Sequence, residues 1–137
     1  MAVEKRATAT WTGSLTEGSG SVTSASGALS SLGVTWAKRA EQGPEATSPE
    51  ELIAAAHAAC FCMALSHGLT QAGSPPEELQ VTATVGFQPG QGITGSHLDV
   101  QGRVPGVDEA GFAVAAECPV SKALAGVEIT HSATLTP

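Results

Sequence analysis

Basic side chains are scarce in this chain, with 6 Lys and Arg against 13 Asp and Glu and a formal net charge of -7. A face that grips phosphate needs clustered cations, so this balance argues against nucleic acid and anionic membrane surfaces as partners. The pair Lys38-Arg39 is too small a cluster to reverse that. Long apolar runs are missing as well: the longest, of about 14 residues, falls short of the roughly 20 that cross a bilayer, which favours a protein interior and no membrane. Behind the N-terminal MAVEKRATAT there is no apolar stretch of the kind a signal peptide carries. Gly18-Ser19-Gly20 has no helix pattern after it, which excludes a dinucleotide fingerprint, and no internal repeat or low-complexity tail stands out. These absences lead to the expectation of one cytoplasmic domain over residues 1–137. Cysteine is sparse too, limited to 3 residues, and in a thiol-preserving compartment so few suggest redox or catalytic use before a structural disulfide.

What is present centres on PEELIAAAHAACFCMALSHG, Pro49 to Gly68. Ser48 is placed to cap a helix, Pro49 fills the first position where no donor is needed, and Glu51 completes a capping box. From Leu52 to Leu65 the one strongly polar side chain is His57, and alanines keep helix propensity high. A helix without a solvent stripe is expected to be covered on nearly all sides.

Around it the pattern is that of strands. Ala7 to Trp11 alternates apolar residues with threonine, glycines follow, and Val22 lies beyond them, which predicts a half-buried hairpin. Ala28-Leu29 and Val34 to Trp36 suggest further strand, placing Arg39 on or beside a strand end. Gly68 to Pro76 reads as a breaker-rich connection. Leu79, Val81, Ala83, Val85 and Phe87 then alternate with polar residues, Pro89-Gly90 turns the chain, and Leu98, Val100, Gly102 and Val104 share one face of an expected antiparallel partner. Asp108 can cap a short helix through Ala116, and Pro119 opens another, ended by Gly126, with Cys118 just before it. Val127 to Leu135 alternates as a last strand. Strands, a long helix, two strands, short helices and a strand make an α+β protein.

A reactive cysteine needs a lowered pKa, hence a cation or a helix start beside it. Arg39 offers the cation, and Cys118 sits at the helix start. Glu50 and Cys60 are ten residues apart, about 15 Å along one helix at roughly 1.5 Å per residue, so they cannot meet within it. Two copies packed antiparallel across a two-fold axis near Ala55 would set Glu50 of one opposite Cys60 of the other. Ala54, Ala55, Ala58 and Ala59 would permit the close approach, and a symmetric homodimer with composite sites is therefore expected.

The run PEELIAAAHAACFCMALS, the later VPGVD, and ECPVSKAL followed by VEIT resemble the OsmC branch of the OsmC/Ohr family of organic hydroperoxide reductases. The resemblance covers about Ala9 to Leu135. It implies an intertwined α+β homodimer with antiparallel sheets around a long central helix, and thiol-dependent peroxide reduction without metal, haem or flavin. By the same resemblance Cys60 is the peroxidatic cysteine, Cys118 the resolving cysteine, Arg39 the arginine that stabilises the thiolate, and Glu50 the carboxylate that orients it. The implied cycle runs from an organic hydroperoxide through a Cys60 sulfenic acid to a Cys60-Cys118 disulfide, opened by a small dithiol or lipoyl-type reductant. Phe61, Met63 and Phe112 could line an apolar substrate pocket or simply fill the core. Cys62 departs from the family's small residue and, two positions from Cys60, turns to a different helix face where packing is its expected role. The interval from Phe112 to Cys118 is shorter than the family's.

Two other readings use the same residues. His57, Cys60 and Cys118 would suit zinc, given a fourth ligand, although His67 is badly phased to join His57. A noncatalytic dimer binding apolar ligands would need no reactive thiol. His57 itself is expected to be a core or interface histidine bonded locally, and His97 and His131 to lie in strands without evident partners.

Overall fold

The structure, a computed structural model, describes residues 2–40, 46–108, 112 and 118–137. The chain forms two compact units, Met1–Leu52 and Ile53–Pro137.

In the first unit β1 (Ala7–Thr12), β2 (Ser19–Ser24) and β3 (Leu32–Val34) form an antiparallel sheet in that order. The expected hairpin is there, with Trp11 opposite Gly20 and the Trp11 ring lying where a Gly20 side chain would have to go. Its first strand is not half-buried, however: all six residues of β1 are exposed. Ala28-Leu29 is a bend, not strand. Trp36 begins α1 (Trp36–Ala40), because the Thr35 hydroxyl accepts the Lys38 N–H at 3.1 Å and caps a helical turn there. Arg39 therefore stands on a helix instead of a strand end.

Helix α2 (Pro49–Gln71) starts where the capping residues put it, with the Glu51 N–H donating to Ser48 Oγ at 3.2 Å. The Glu51 carboxylate accepts from the Thr47 hydroxyl and so braces the cap from outside. The helix runs through Gly68, past the expected break, and the chain leaves it at Gly73, whose φ of 90° suits glycine.

The second unit holds most of α2 and a sheet of order β4-β5-β6, made of β4 (Glu78–Gln88), β5 (Gly92–Arg103) and β6 (Glu128–Leu135). β4 and β5 pair antiparallel as expected, with a bulge at Gly86/Phe87. β6 runs parallel to β5, from Gly95↔Glu128 to Gly102↔Leu135, so this sheet is mixed where an antiparallel one was expected. Short α3 (Pro119–Ala123) lies in the crossover between them and ends at Leu124, ahead of Gly126. The expected helix from Asp108 to Ala116 lies outside the described residues except at Asp108 and at Phe112, whose N–H donates to the Asp108 carbonyl at 2.9 Å.

His57, Phe61, Leu65 and Leu69, spaced by four, form the buried row of α2, and Leu98, Val100, Val104 and Phe112 complete the core. Gly102 is required inside it: a Cβ there would come within 2.9 Å of Leu79 and 2.8 Å of the Phe112 ring. The opposite side of α2 is bare. Ala55, Ala56, Ala59 and Met63 are exposed, and only 22% of the helix's most apolar 18-residue window is buried, so one chain alone does not give the cover on nearly all sides that was expected. At 23 residues α2 exceeds the short apolar run and has the length and composition to cross a bilayer, but its buried row packs with the sheet around an imidazole.

Candidate active site

Cys118 is the N-cap of α3, where its sulfur accepts the Ser121 N–H at 3.4 Å. Pro119 costs nothing at the first helical position, and Ser121 stands where a cap's acceptor meets the next free N–H. Cys60 projects from α2 one turn beyond His57, half-buried against the core. Cys118 belongs to the core against which Cys60 packs, and each thiol bears on the other's acidity. Both are free, as is Cys62.

Their acidities part. Burial pushes the Cys60 thiol up, the Val120 N–H pulls it back, and the Cys118 thiol adds to the rise. Burial would raise Cys118 too, but its thiolate form is favoured by the Ser121 hydroxyl and N–H, by Cys60 and by the Val120 N–H, and the net shift is downward. Within this unit the negative charge thus settles more easily on Cys118.

Behind the pair stands His57, 0% exposed, with both ring nitrogens engaged. Nδ1 is 2.7 Å from Ser96 Oγ on β5, and Nε2 is 2.7 Å from Ser121 Oγ. Burial and, after it, the nearby His131 push its pKa below the ordinary 6.5, so the neutral ring is favoured. His131 is not without a partner, since its ring lies 5.5 Å from that of Phe61, tilted by 40°. Nor is His97, which meets Thr130 Oγ1 at 2.6 Å and Ser132 Oγ at 3.4 Å.

In the first unit Arg39 Nε donates to Glu50 Oε2 at 3.0 Å. Glu50 is buried, and its Oε1 has no partner among the described residues. The four residues named from the sequence thus fall into two pairs, one in each unit: Arg39 with Glu50, Cys60 with Cys118.

Other expectations fare differently. Phe61 and Phe112 are core, while Met63 is 74% exposed, so the three do not frame a pocket together. Met63 instead edges an open groove of about 550 Å³ shared with Cys62, His67 and Leu79. Cys62 packs half-buried with the Val81 N–H at its sulfur, and burial raises its thiol. No cluster of three or more His, Cys, Asp or Glu suited to a metal occurs among the described residues. Both nitrogens of His57 are taken by hydroxyls, which disfavours the zinc set. Sequence reasoning missed Ser96 and Ser121. Ser121 had a signal in its position three residues after a cap; Ser96 had none.

The second unit thus holds two free thiols together, one on a long apolar helix and one capping a short helix, in an α+β fold. Residues 41–132 match the family described as OsmC-like protein, and the chain belongs to that family. It is 41% identical over 132 residues to Peroxiredoxin OsmC of Escherichia coli, an alignment covering 90% of this chain and 92% of that protein. Among solved structures it is similar to the organic hydroperoxide resistance protein OhrB of Bacillus subtilis, with a TM-score of 0.64, 27% identity and coverage of 94% and 98% of the two chains. An organic hydroperoxide resistance protein from Elizabethkingia anophelis gives a TM-score of 0.65 at 29% identity, covering 98% of this chain and 100% of that one. An OsmC-like protein from Mycoplasma pneumoniae, 19% identical, shares the fold with a TM-score of 0.72 and 100% coverage of both chains.

Proposed function

We propose that this protein is a cysteine-based peroxidase that reduces organic hydroperoxides to alcohols, in a cytoplasmic stress defence. The observation that carries the reading is that two free thiols share one core, Cys118 within it and Cys60 packed against it, each bearing on the other's acidity. The Cys60 thiolate attacks the distal peroxide oxygen, the O–O bond breaks, and the alkoxide takes a proton to leave as alcohol. Cys60 is then a sulfenic acid, with Cys118 already beside it to displace water and close the disulfide. A small dithiol or lipoyl-type reductant opens that bond by exchange. No metal, haem or flavin takes part. The names and functions borne by the E. coli and B. subtilis relatives support this reading.

Cys60 is the less acidic thiol within its own unit, so its activation calls for a charge from elsewhere. The homodimer supplies it. Two copies joined along the bare stripe of α2 bring the Arg39-Glu50 pair of one subunit to Cys60 of the other, the carboxylate holding the guanidinium and the guanidinium holding the thiolate. The uncovered apolar surface of Ala55, Ala56, Ala59 and Met63 supports that assembly.

The test is consumption of cumene hydroperoxide by the reduced protein with a dithiol. Turnover is expected in the unaltered protein and in Cys62→Ser, and is lost in Cys60→Ser. In Cys118→Ser the Cys60 sulfenic acid persists long enough to be trapped by dimedone. Turnover surviving in Cys60→Ser ends the proposal.

A further inference from the structure

Contacts run inward from Cys118: the Ser121 N–H donates to Cys118 Sγ at 3.4 Å, Ser121 Oγ lies 2.7 Å from His57 Nε2, and His57 Nδ1 lies 2.7 Å from Ser96 Oγ. Three separate elements meet here, α3, α2 and β5, and neither His57 nor Ser96 reaches solvent, at 0% and 3% exposed. A plain core position would be filled more cheaply by an apolar side chain, since burying an imidazole is favourable only when both nitrogens are satisfied. Here both are, and one of them looks directly toward a sulfur's hydrogen-bond partner.

We propose that His57 is a positioning residue that takes and returns the Cys118 proton through Ser121, setting when the resolving thiol becomes nucleophilic. The inference rests on the resolving role of Cys118 given above. With Nδ1–H donating to Ser96, Nε2 is left as acceptor for the Ser121 O–H, and Ser121 Oγ can accept the Cys118 S–H. The S–H proton moves to Ser121 Oγ as the Ser121 proton moves to Nε2. That leaves a Cys118 thiolate still accepting from Ser121, and an imidazolium. The thiolate lone pair attacks the Cys60 sulfenic sulfur; the S–S bond forms and the S–O bond breaks. The departing hydroxide takes the proton back along the same route, giving water and neutral His57. Cys118 is oxidised and the sulfenic sulfur reduced, the oxidising equivalent being that of the hydroperoxide. The titratable groups acting on this route are His131 on β6, Cys60 on α2 and Cys118 itself. Burial and His131 both disfavour the imidazolium, so the proton is held briefly, as a relay requires.

The experiment follows the reduced full-length protein by NMR, reading the Cys118 Cβ shift and the His57 ring nitrogens against pH. Expected is a higher Cys118 midpoint in Ser121→Ala and in His57→Gln, with Ser121→Thr restoring the original value. In the unaltered protein the ring nitrogens of His57 change at the same midpoint as Cys118, and this linkage disappears in Ser121→Ala. In a single turnover with cumene hydroperoxide, disulfide closure slows by about 10²-fold in both variants, while formation of the Cys60 sulfenic acid keeps its rate. A Cys118 midpoint that moves in Ser121→Ala but not in a folded His57→Gln overturns the role of His57. Should His57→Gln not fold, ring nitrogens that ignore Cys118 in the unaltered protein overturn it equally. The titration needs no peroxide. A protein that never consumes hydroperoxide yet shows the linked midpoints loses the peroxidase reading and keeps the relay; one that turns over with unlinked midpoints loses only the relay.

Discussion

The Nε–H of Arg39 points into the carboxylate of Glu50 at 3.0 Å, and that carboxylate is 5% exposed. Removing the cation from a fully buried pair costs about 3–5 kcal/mol because a charge is left stranded. The Arg39 side chain is 37% exposed, so water screens the pair and Arg39→Ala is expected to cost about 1–2 kcal/mol. Glu50→Ala should cost less, since the guanidinium left behind can turn to solvent. Urea denaturation at a fixed protein concentration checks the order, and equal losses would mean that the pair does not hold the buried carboxylate.

Along α2 the exposed residues Ala55, Ala56, Ala59 and Met63 make an apolar stripe of small side chains. Ala55→Glu and Ala59→Glu place charges where two copies would meet, and each is expected to turn a dimer into a monomer in light scattering. Peroxide turnover should fall as the dimer is lost, by on the order of 10²-fold. An unaltered protein that is monomeric at micromolar concentration would remove the composite site.

His57 carries a pH signature in stability. Its folded pKa lies below the unfolded 6.5, so the unfolded state binds the proton more readily. Stability is then whole above pH 6.5 and drains away as pH falls from there through the lowered folded value. Thermal melts between pH 7.5 and about 5 should show Tm dropping on the acid side. His57→Gln, which cannot take the proton, should start lower and flatten that slope.

Gly102 is the position where the core admits no side chain, with Leu79 and Phe112 closing on it from two sides. Gly102→Ala forces both to shift and is expected to cost about 1–3 kcal/mol, the usual range for overpacking. Pairing it with Phe112→Leu should recover part of the loss. Chemical denaturation of the single and double variants checks the coupling.

Strong local chemistry made much of this legible in the sequence. Ser48-Pro49 fixed the start of α2, alternation from Leu79 to Val104 set the β4-β5 pair, and Pro119 marked Cys118 as a cap. The misreadings lie where local signals are weak or the outcome is tertiary. Val34 is strand as its propensity suggests, but Trp36, which reads the same way, opens a single helical turn capped by Thr35 that carries Arg39. The parallel run of β6 cannot be read from its alternation, because period two is the same in either direction. The serines on His57 are 39 and 64 residues away in sequence, beyond any periodicity. The exposure of β1 and of one side of α2 followed from no pattern, since an apolar stripe looks the same whether its own chain or another copy covers it.

The connection from β5 back to β6 carries α3, so the register of β6 and the delivery of the second sulfur are one event. Slipping β6 by a single residue would reverse which side each of its residues faces, carrying His131 off Phe61 and dragging the α3 turn with it. On the proposed mechanism, a chain whose last strand is not yet in place would lack the second sulfur beside Cys60, and its sulfenic acid would stay open to further oxidation.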